Sequence, residues 1–401
     1  MVERALRLTL APPQGPVHLD LAPDTAAYIA PPGLTRPSTP VTLHPAPAPD
    51  DPAVRALRDR LAGSERPIVI AGTEAVAGDA RQALRDLARR HGVPVVTTYR
   101  AKGIVDETLP GALGAAGLSP LADRLLMPLI RAADLVLLVG YDPIEMRVGW
   151  MDALGDAARV VELSAQPPDH GMHAAGLAIN GRCGPILDAA IRDLPMRPRW
   201  PGDAPAAVRA GLREAFTPTG DWGPGVVFAT LAAALPADAI VTADSGAHRI
   251  LLSQAWQCRE PLTLLQSSGY CTMGVAVPMA IGAALERPGC RCVAVTGDGG
   301  LEMVAGELAT IRDLGVPITI LVLQDESLGL IELKQRSAGL PRAAVTLGRT
   351  GFDRLAEAFG GVGAVVEDRA ALRIALDASF ARPGLSVVCA RISADDYSGR
   401  L

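Results

Sequence analysis

The stretch Gly297 to Gly329, GDGGLEMVAGELATIRDLGVPITILVLQDESLG, constrains this chain more than any other. An apolar run from Cys292 to Thr296 leads into Gly297-Asp298-Gly299. A segment of helical period follows, and a second apolar run, Val316 to Leu323, ends in Gln324-Asp325-Glu326-Ser327. That pattern predicts strand, tight turn, helix, strand, turn. In a parallel sheet both turns fall at the carboxyl edge, where open α/β sheets bind ligands. Asp298 and Asp325 are therefore expected side by side although far apart in sequence.

Two carboxylates beside a glycine turn that opens a helix suit a divalent cation bridging protein oxygens to a phosphate. Mg²⁺ takes hard oxygen ligands in a near-octahedral shell, usually one or two carboxylates together with substrate phosphates. The backbone N–H groups of Gly299 and Gly300, at the helix start, are placed to cradle the phosphate. For the glycine turn alone, a structural bend in a Rossmann-like sheet is the plain alternative. The second acidic turn at the same edge argues against it.

The whole segment resembles the thiamine-diphosphate motif of the acetohydroxyacid (acetolactate) synthase-like family, which opens with GDG and closes about 25 to 30 residues later in a pair of asparagines. Here Gln324-Asp325 replaces that pair, and the only asparagine of the chain is Asn180. The resemblance implies that the side chains of Asp298 and Asp325 and the backbone carbonyl of Ser327 hold Mg²⁺. Leu328 and Gly329 complete the cofactor-binding turn.

At 401 residues the chain fits two or three domains. Half-apolar composition with a fifth of residues charged marks it as globular, and a net charge of −5 provides no basic stripe, so no nucleic acid is expected. The six cysteines form no CxxC pair, which reads as buried reduced thiols rather than a disulfide or zinc framework. No apolar run reaches the roughly 18 residues of a membrane span, and the start lacks a signal-peptide pattern. No membrane partner and a cytoplasmic location are expected.

Along the chain, residues 1–30 contain one short alternating strand, Val17, Leu19 and Leu21. It resembles the last strand of the family's pyrimidine-binding domain, whose upstream part is expected to be missing. Residues 31–52 are a proline-rich spacer. From 53 to 194, alternating strands and helices predict a parallel, doubly wound, Rossmann-like central domain. The phrases VPVVTTYRAKG, LPGALGAAG and VLLVGYDPIE are similar to the central domain of the same family. Its FAD-binding members carry an arginine after the strand-ending glycine; here Tyr141-Asp142-Pro143 follows Gly140, so FAD is not expected. His170 and His173, in DHGMH, read as a surface loop because no carboxylate cluster accompanies them in sequence. Residues 195–224, with six prolines around one amphipathic helix, form a second connector.

Residues 225–401 read as a second doubly wound parallel-sheet domain, the diphosphate-binding domain of thiamine-diphosphate enzymes. Asp244-Ser245-Gly246-Ala247-His248 resembles the family's D-x-G-Q-H turn, whose backbone and histidine meet the diphosphate, with Ala247 in place of glutamine. The phrase from Gln266 to Gly274, QSSGYCTMG, is similar to the family's SGGxGTMG segment. The resemblance implies that Met273 supports the bent cofactor, that the Cys271 carbonyl accepts from its amino group, and that Thr272 belongs to the same binding loop. Lys334, Gln335 and Arg336 sit on a helix near this site, with a solvated helix end the equal alternative.

The resemblance implies decarboxylation or carboligation of a 2-oxo acid, with thiamine diphosphate and Mg²⁺ as cofactors. The glutamate that protonates the cofactor pyrimidine belongs to the pyrimidine-binding domain. This chain is therefore expected to be the large subunit of a split enzyme, joined by a small subunit in a hetero-tetramer of two large and two small chains. The alternative is a non-catalytic cofactor-binding or scaffold subunit. A serine hydrolase or P-loop kinase finds no motif.

Overall fold

Two six-stranded parallel sheets form the molecule in this computed structural model, which describes residues 1–12, 14–29, 32–33, 46–146, 148–150, 152–168, 170–196, 199–267 and 270–401. The first sheet contains β1 (Pro67–Ala71), β2 (Val95–Thr98), β3 (Ala112–Ala116), β4 (Leu135–Val139), β5 (Val160–Ser164) and β6 (Leu177–Asn180). Their spatial order is β3-β2-β1-β4-β5-β6. The inner strands β1, β4 and β5 are buried along their whole length, as strands covered by helices on both faces must be. Helix Pro52–Gly63 leads into this sheet; the Asp51 carboxylate caps it by accepting the Ala53 N–H at 2.8 Å.

The second sheet contains β7 (Ile240–Ala243), β8 (Leu264–Gln266), β9 (Cys292–Gly297), β10 (Ile318–Gln324), β11 (Val362–Val366) and β12 (Leu385–Arg391), ordered β11-β12-β10-β9-β7-β8. The chain leaves β7 for β8 on one side and returns to β9 on the other. The crevice between β7 and β9 is thus a topological switch point, the place where doubly wound sheets bind ligands. Both sheets have the parallel, helix-covered architecture expected from the alternation of elements.

Some elements differ from expectation. Strand β3, ALGAA, has no strand signal in the sequence, because its small residues lack branched or aromatic side chains. Val17, Leu19 and Leu21 form no strand: they are exposed and pair with no ladder among the described residues, and an isolated extended segment has no partner for its backbone groups. Upstream of them Val2–Leu10 is a helix. Of the proline-rich spacer, residues 31 and 34–45 lie outside the described residues.

The two sheets are joined rather than strung apart. In the second connector, helix Ala204–Phe216 buries Leu212 and Phe216 in one apolar cluster with Leu126 and Leu129 of helix Pro120–Ala132 and Leu251 of helix Ala247–Ala255. Beside it, the buried Lys102 ammonium meets the Glu107 carboxylate at 2.8 Å, and that carboxylate also accepts the Cys258 N–H at 2.8 Å. Gly103 presses on the backbone of Glu260: a Cβ there would stand 2.0 Å from the Glu260 carbonyl oxygen, and Gly103 has φ +84°. Gly103→Ala should therefore cost about 3 kcal/mol, read as a lower urea midpoint. Gly92→Ala, with φ +64° and open space around it, should cost only about 1–2 kcal/mol. Equal losses in the two variants would show that the interdomain contact is slack.

Candidate cofactor and metal site

Three strand ends converge at the second sheet's carboxyl edge, and a buried acid fixes their spacing. Asp244, fully buried after β7, accepts the N–H groups of Ser245 at 2.8 Å and Val275 at 3.2 Å through Oδ1. Its Oδ2 accepts the Gly274 N–H and the Thr296 hydroxyl, each at 2.8 Å. The turn after β7, the 271–275 loop and the end of β9 are thereby tied to one carboxylate. Gly300 has to be glycine beside it, since a Cβ would lie 2.2 Å from Asp244 Oδ2.

Above this hub lies a cavity of ≈ 140 Å³ lined by Ser245, Gly246, Ala247, His248, Met273, Asp298, Gly299, Gly300, Asp325, Ser327, Leu328 and Gly329. Those residues come from segments that sequence reasoning assigned to one site. Gly297, Leu323, Leu330, Ile331 and Tyr397 also line it. Tyr397 belongs to the segment SADDYSGRL, in which no residue pattern says that it folds back over the β10 turn. Cys271 and Thr272 do not line the cavity. Cys271 has φ +48°, and its carbonyl accepts the Ser245 hydroxyl at 2.6 Å. Thr272 is exposed, its hydroxyl donating to the Met273 carbonyl at 3.1 Å. Ser268 and Gly269 of the same phrase lie outside the described residues.

The two acids meet as the strand register requires, because Leu323 of β10 pairs with Gly297 of β9. Asp298 accepts its own turn's Gly299 N–H at 2.8 Å and reaches across to the Glu326 N–H at 2.7 Å. Asp325 accepts the Ser327 N–H at 3.1 Å. Burial, then the charge of Asp298, pushes the Asp325 carboxyl up to about 7, against the pull of the Ser327 N–H. Burial likewise raises Asp298. The Ser327 carbonyl is free of the neighbouring β-bridge, whose bonds run from the Leu328 N–H to the Val345 carbonyl and from the Leu347 N–H to the Glu326 carbonyl. A buried and a half-buried carboxyl with a spare carbonyl beside them form a donor set that fits a hard divalent cation.

The phosphate end fits as well. His248 lies in the first turn of helix Ala247–Ala255, is 5 % exposed, and leaves Nε2 buried without a partner. Burial pulls its imidazole down to about 4, opposed by Asp244. An anion at the helix start would favour the protonated ring and so give that nitrogen an acceptor. Met273 closes one wall: a Cβ at Gly299 would lie 3.3 Å from the Met273 Cε and 3.2 Å from Leu328 Cδ2. Of the polar helix beyond, Arg336 pairs with Asp395 at 2.8 Å and Gln335 donates to the Ala343 carbonyl at 2.9 Å, so neither is held toward the cavity.

Comparison with known proteins agrees with this geometry. Residues 244–390 match the C-terminal TPP binding domain of thiamine pyrophosphate enzymes, and residues 54–190 match their central domain. The chain belongs to the thiamine pyrophosphate (thiamine diphosphate) enzymes, and is homologous to acetolactate synthases. It is 30 % identical over 341 residues to an acetolactate synthase of Bacillus subtilis, covering 80 % of this chain and 57 % of that protein. A probable 2-ketoarginine decarboxylase of Pseudomonas aeruginosa is 30 % identical over 349 residues, covering 84 % and 61 %. The large subunit of acetolactate synthase isozyme 1 of Escherichia coli is 26 % identical over 403 residues, covering 98 % and 70 %. The chain thus spans about three fifths of the length of the first two.

The raised Asp325 carboxyl has a measurable consequence. Below about pH 4 the acid is protonated in both states and costs nothing; between about 4 and about 7 the unfolded chain ionises it while the folded chain keeps the proton, so stability falls across that window and levels off above it. Chelator-treated Asp325→Asn should lose that decline, giving a flatter unfolding midpoint between acid and neutral pH than the unsubstituted chain. Identical pH profiles would mean that the Asp325 carboxyl is not raised in the folded chain.

Proposed function

We propose that this chain is the large subunit of a split thiamine-diphosphate-dependent enzyme that decarboxylates a 2-oxo acid or ligates the resulting fragment to an acceptor. The observation that carries the reading is the Asp298–Asp325 pair, one buried and one half-buried, at adjacent strand ends within one cavity with His248 and Met273. Mg²⁺ held by both carboxylates and the Ser327 carbonyl would neutralise the pair and bind the diphosphate. The N–H groups of Gly299 and Gly300 and the imidazole of His248 would take the remaining phosphate oxygens. Met273, braced near Gly299 and Leu328, gives the apolar support on which the cofactor rings rest. The bound cofactor supplies a carbanion-stabilising centre, and the protein supplies orientation and a water-poor wall.

Asp298 and Asp325 are the only carboxylates among the described residues that line the cavity, and both belong to the metal end. The acid that acts on the pyrimidine is therefore assigned to a separate small subunit, in an assembly of two large and two small chains. Acid–base work of that kind needs a group within about 2.6–3.2 Å of the nitrogen. A second reading, a non-catalytic cofactor-binding subunit, is favoured by the engagement of the Cys271 carbonyl by the Ser245 hydroxyl.

Calorimetry and turnover separate these readings. Thiamine diphosphate should bind only with Mg²⁺ present, and Asp298→Ala should weaken binding at least about tenfold, the effect of losing one charge-assisted contact. Pyruvate, as a test 2-oxo acid, should be decarboxylated only after a small chain carrying a pyrimidine domain is added. Turnover by the isolated chain at the rate of the mixture rules out the split arrangement. Cofactor binding without turnover in any mixture supports the non-catalytic reading, and no cofactor binding at all refutes both.

A further inference from the structure

A second group of ligating side chains lies in the other sheet, away from the cavity. Alternation along β5 sends Val161 and Leu163 into one apolar core and Val160 into the other, so Glu162 points inward with Val160. Its side chain is 3 % exposed, and a carboxylate on an inner strand is costly to bury unless a cation or hydrogen bonds compensate. The loop from β5 to β6 brings two imidazoles to it. His173 Nε2 stands 3.1 Å from Glu162 Oε2 with a side chain 4 % exposed, and the His170 ring packs on the His173 ring at 4.5 Å between centroids. A buried carboxylate for the two histidines is thus supplied by a strand eight residues upstream of His170.

We propose that Glu162, His170 and His173 form a binding site for a divalent transition cation of the Zn²⁺ type. One carboxylate oxygen and one ring nitrogen from each histidine all lie within 4.8 Å of one another. Tetrahedral zinc, with bonds of roughly 2.0–2.2 Å, brings its donors to about 3.4 Å apart, a contraction that side-chain rotation of a loop histidine accommodates. Two nitrogens, His170 Nε2 and His173 Nδ1, are buried with no partner among the described residues; His170 Nδ1 accepts the Met172 N–H at 2.9 Å, a bond that coordination through Nε2 would displace. Two histidines and one carboxylate suit zinc, whereas the all-oxygen set in the other domain suits a harder ion. A cavity of ≈ 10 Å³ bordered by His173, Tyr141 and Met172 has room for about one water, enough for a fourth ligand. Because Glu162 is on a strand and both histidines are on one loop, the ion would pin that loop to the sheet.

The test uses the untagged, chelator-treated full chain titrated with Zn²⁺ by calorimetry. One ion per chain is expected. Binding should persist in the Asp298→Asn/Asp325→Asn double variant, which removes the carboxylates of the other site. It should weaken about 100-fold or more in His173→Ala and in Glu162→Gln, at least the loss seen when a supporting group of a metal site is removed. Glu162→Gln keeps a hydrogen-bond partner for His173 and so guards against misfolding. As a readout independent of any variant, pulsed electron paramagnetic resonance of the Cu²⁺-loaded unsubstituted chain should show imidazole nitrogens on the ion. No stoichiometric Zn²⁺ binding, binding unchanged in folded Glu162→Gln or His173→Ala, binding lost in the double variant, or Cu²⁺ without imidazole coupling would each overturn the assignment.

Discussion

Asp244 is a carboxylate removed from water at the end of a strand, and four hydrogen bonds compensate its burial. Three of the donors are backbone N–H groups and one is the Thr296 hydroxyl. Hydrogen bonds to a charged group contribute about 1.5–3 kcal/mol each, and losing one leaves the others around an under-satisfied charge. Gly274 and Val275 are held directly, which leaves Met273, one residue earlier, little freedom to leave the wall beside Gly299. The position of the apolar support is therefore set by a polar contact beneath it.

The same economy explains why the opposing turn is under tension. Asp298 and Asp325 are brought together by strand register alone, since β9 and β10 are locked by six paired positions from Ile318 with Cys292 to Leu323 with Gly297. Neither turn can retreat without breaking that ladder. Burial of the Asp325 carboxyl, and second to it repulsion from Asp298, are thus held in place by the sheet, and the folded chain is less stable than it would be with an amide at 325. A cation that binds there releases this repulsion as part of its affinity, the usual form of strain held at functional sites.

Much of this was legible in the sequence because two local signals coincided. GDG after an apolar run and an acidic turn after the next one fix Asp298 and Asp325 at one edge without any knowledge of packing. His248, Met273 and Gly299 followed from the resemblance. Asp244 was passed over as part of a turn, since its role comes from Gly274, Val275 and Thr296, which are near only in space. Tyr397 was unreadable for the same reason. Glu162 was hidden more deeply: a single acid in the apolar run VVELS looks like an edge position, and only the sheet order β4-β5-β6 makes β5 an inner strand. Strand β3 was missed because alanine and glycine carry no strand preference and the strand exists only by pairing with β2.

The first domain contributes none of the residues that line the cavity, yet it bears on them through helix Ala247–Ala255. That helix presents His248 at one end, and near the other Gln254 donates to the Ala115 carbonyl of β3 at 3.0 Å. Gln266, at the end of β8, donates to the Tyr99 carbonyl at 3.0 Å, and the Arg249 guanidinium lies 5.5 Å from the centre of the Tyr99 ring. Gln266 also accepts the Ser253 hydroxyl at 2.6 Å. The helix is thus fastened at its far end to the first sheet and at its middle to the segment following that sheet's second strand. A helix anchored in this way cannot rotate about its axis without breaking several buried hydrogen bonds. The aim of the His248 imidazole is consequently fixed by a domain none of whose described residues lines the cavity, which gives the central domain a mechanical role whether or not it binds a nucleotide of its own.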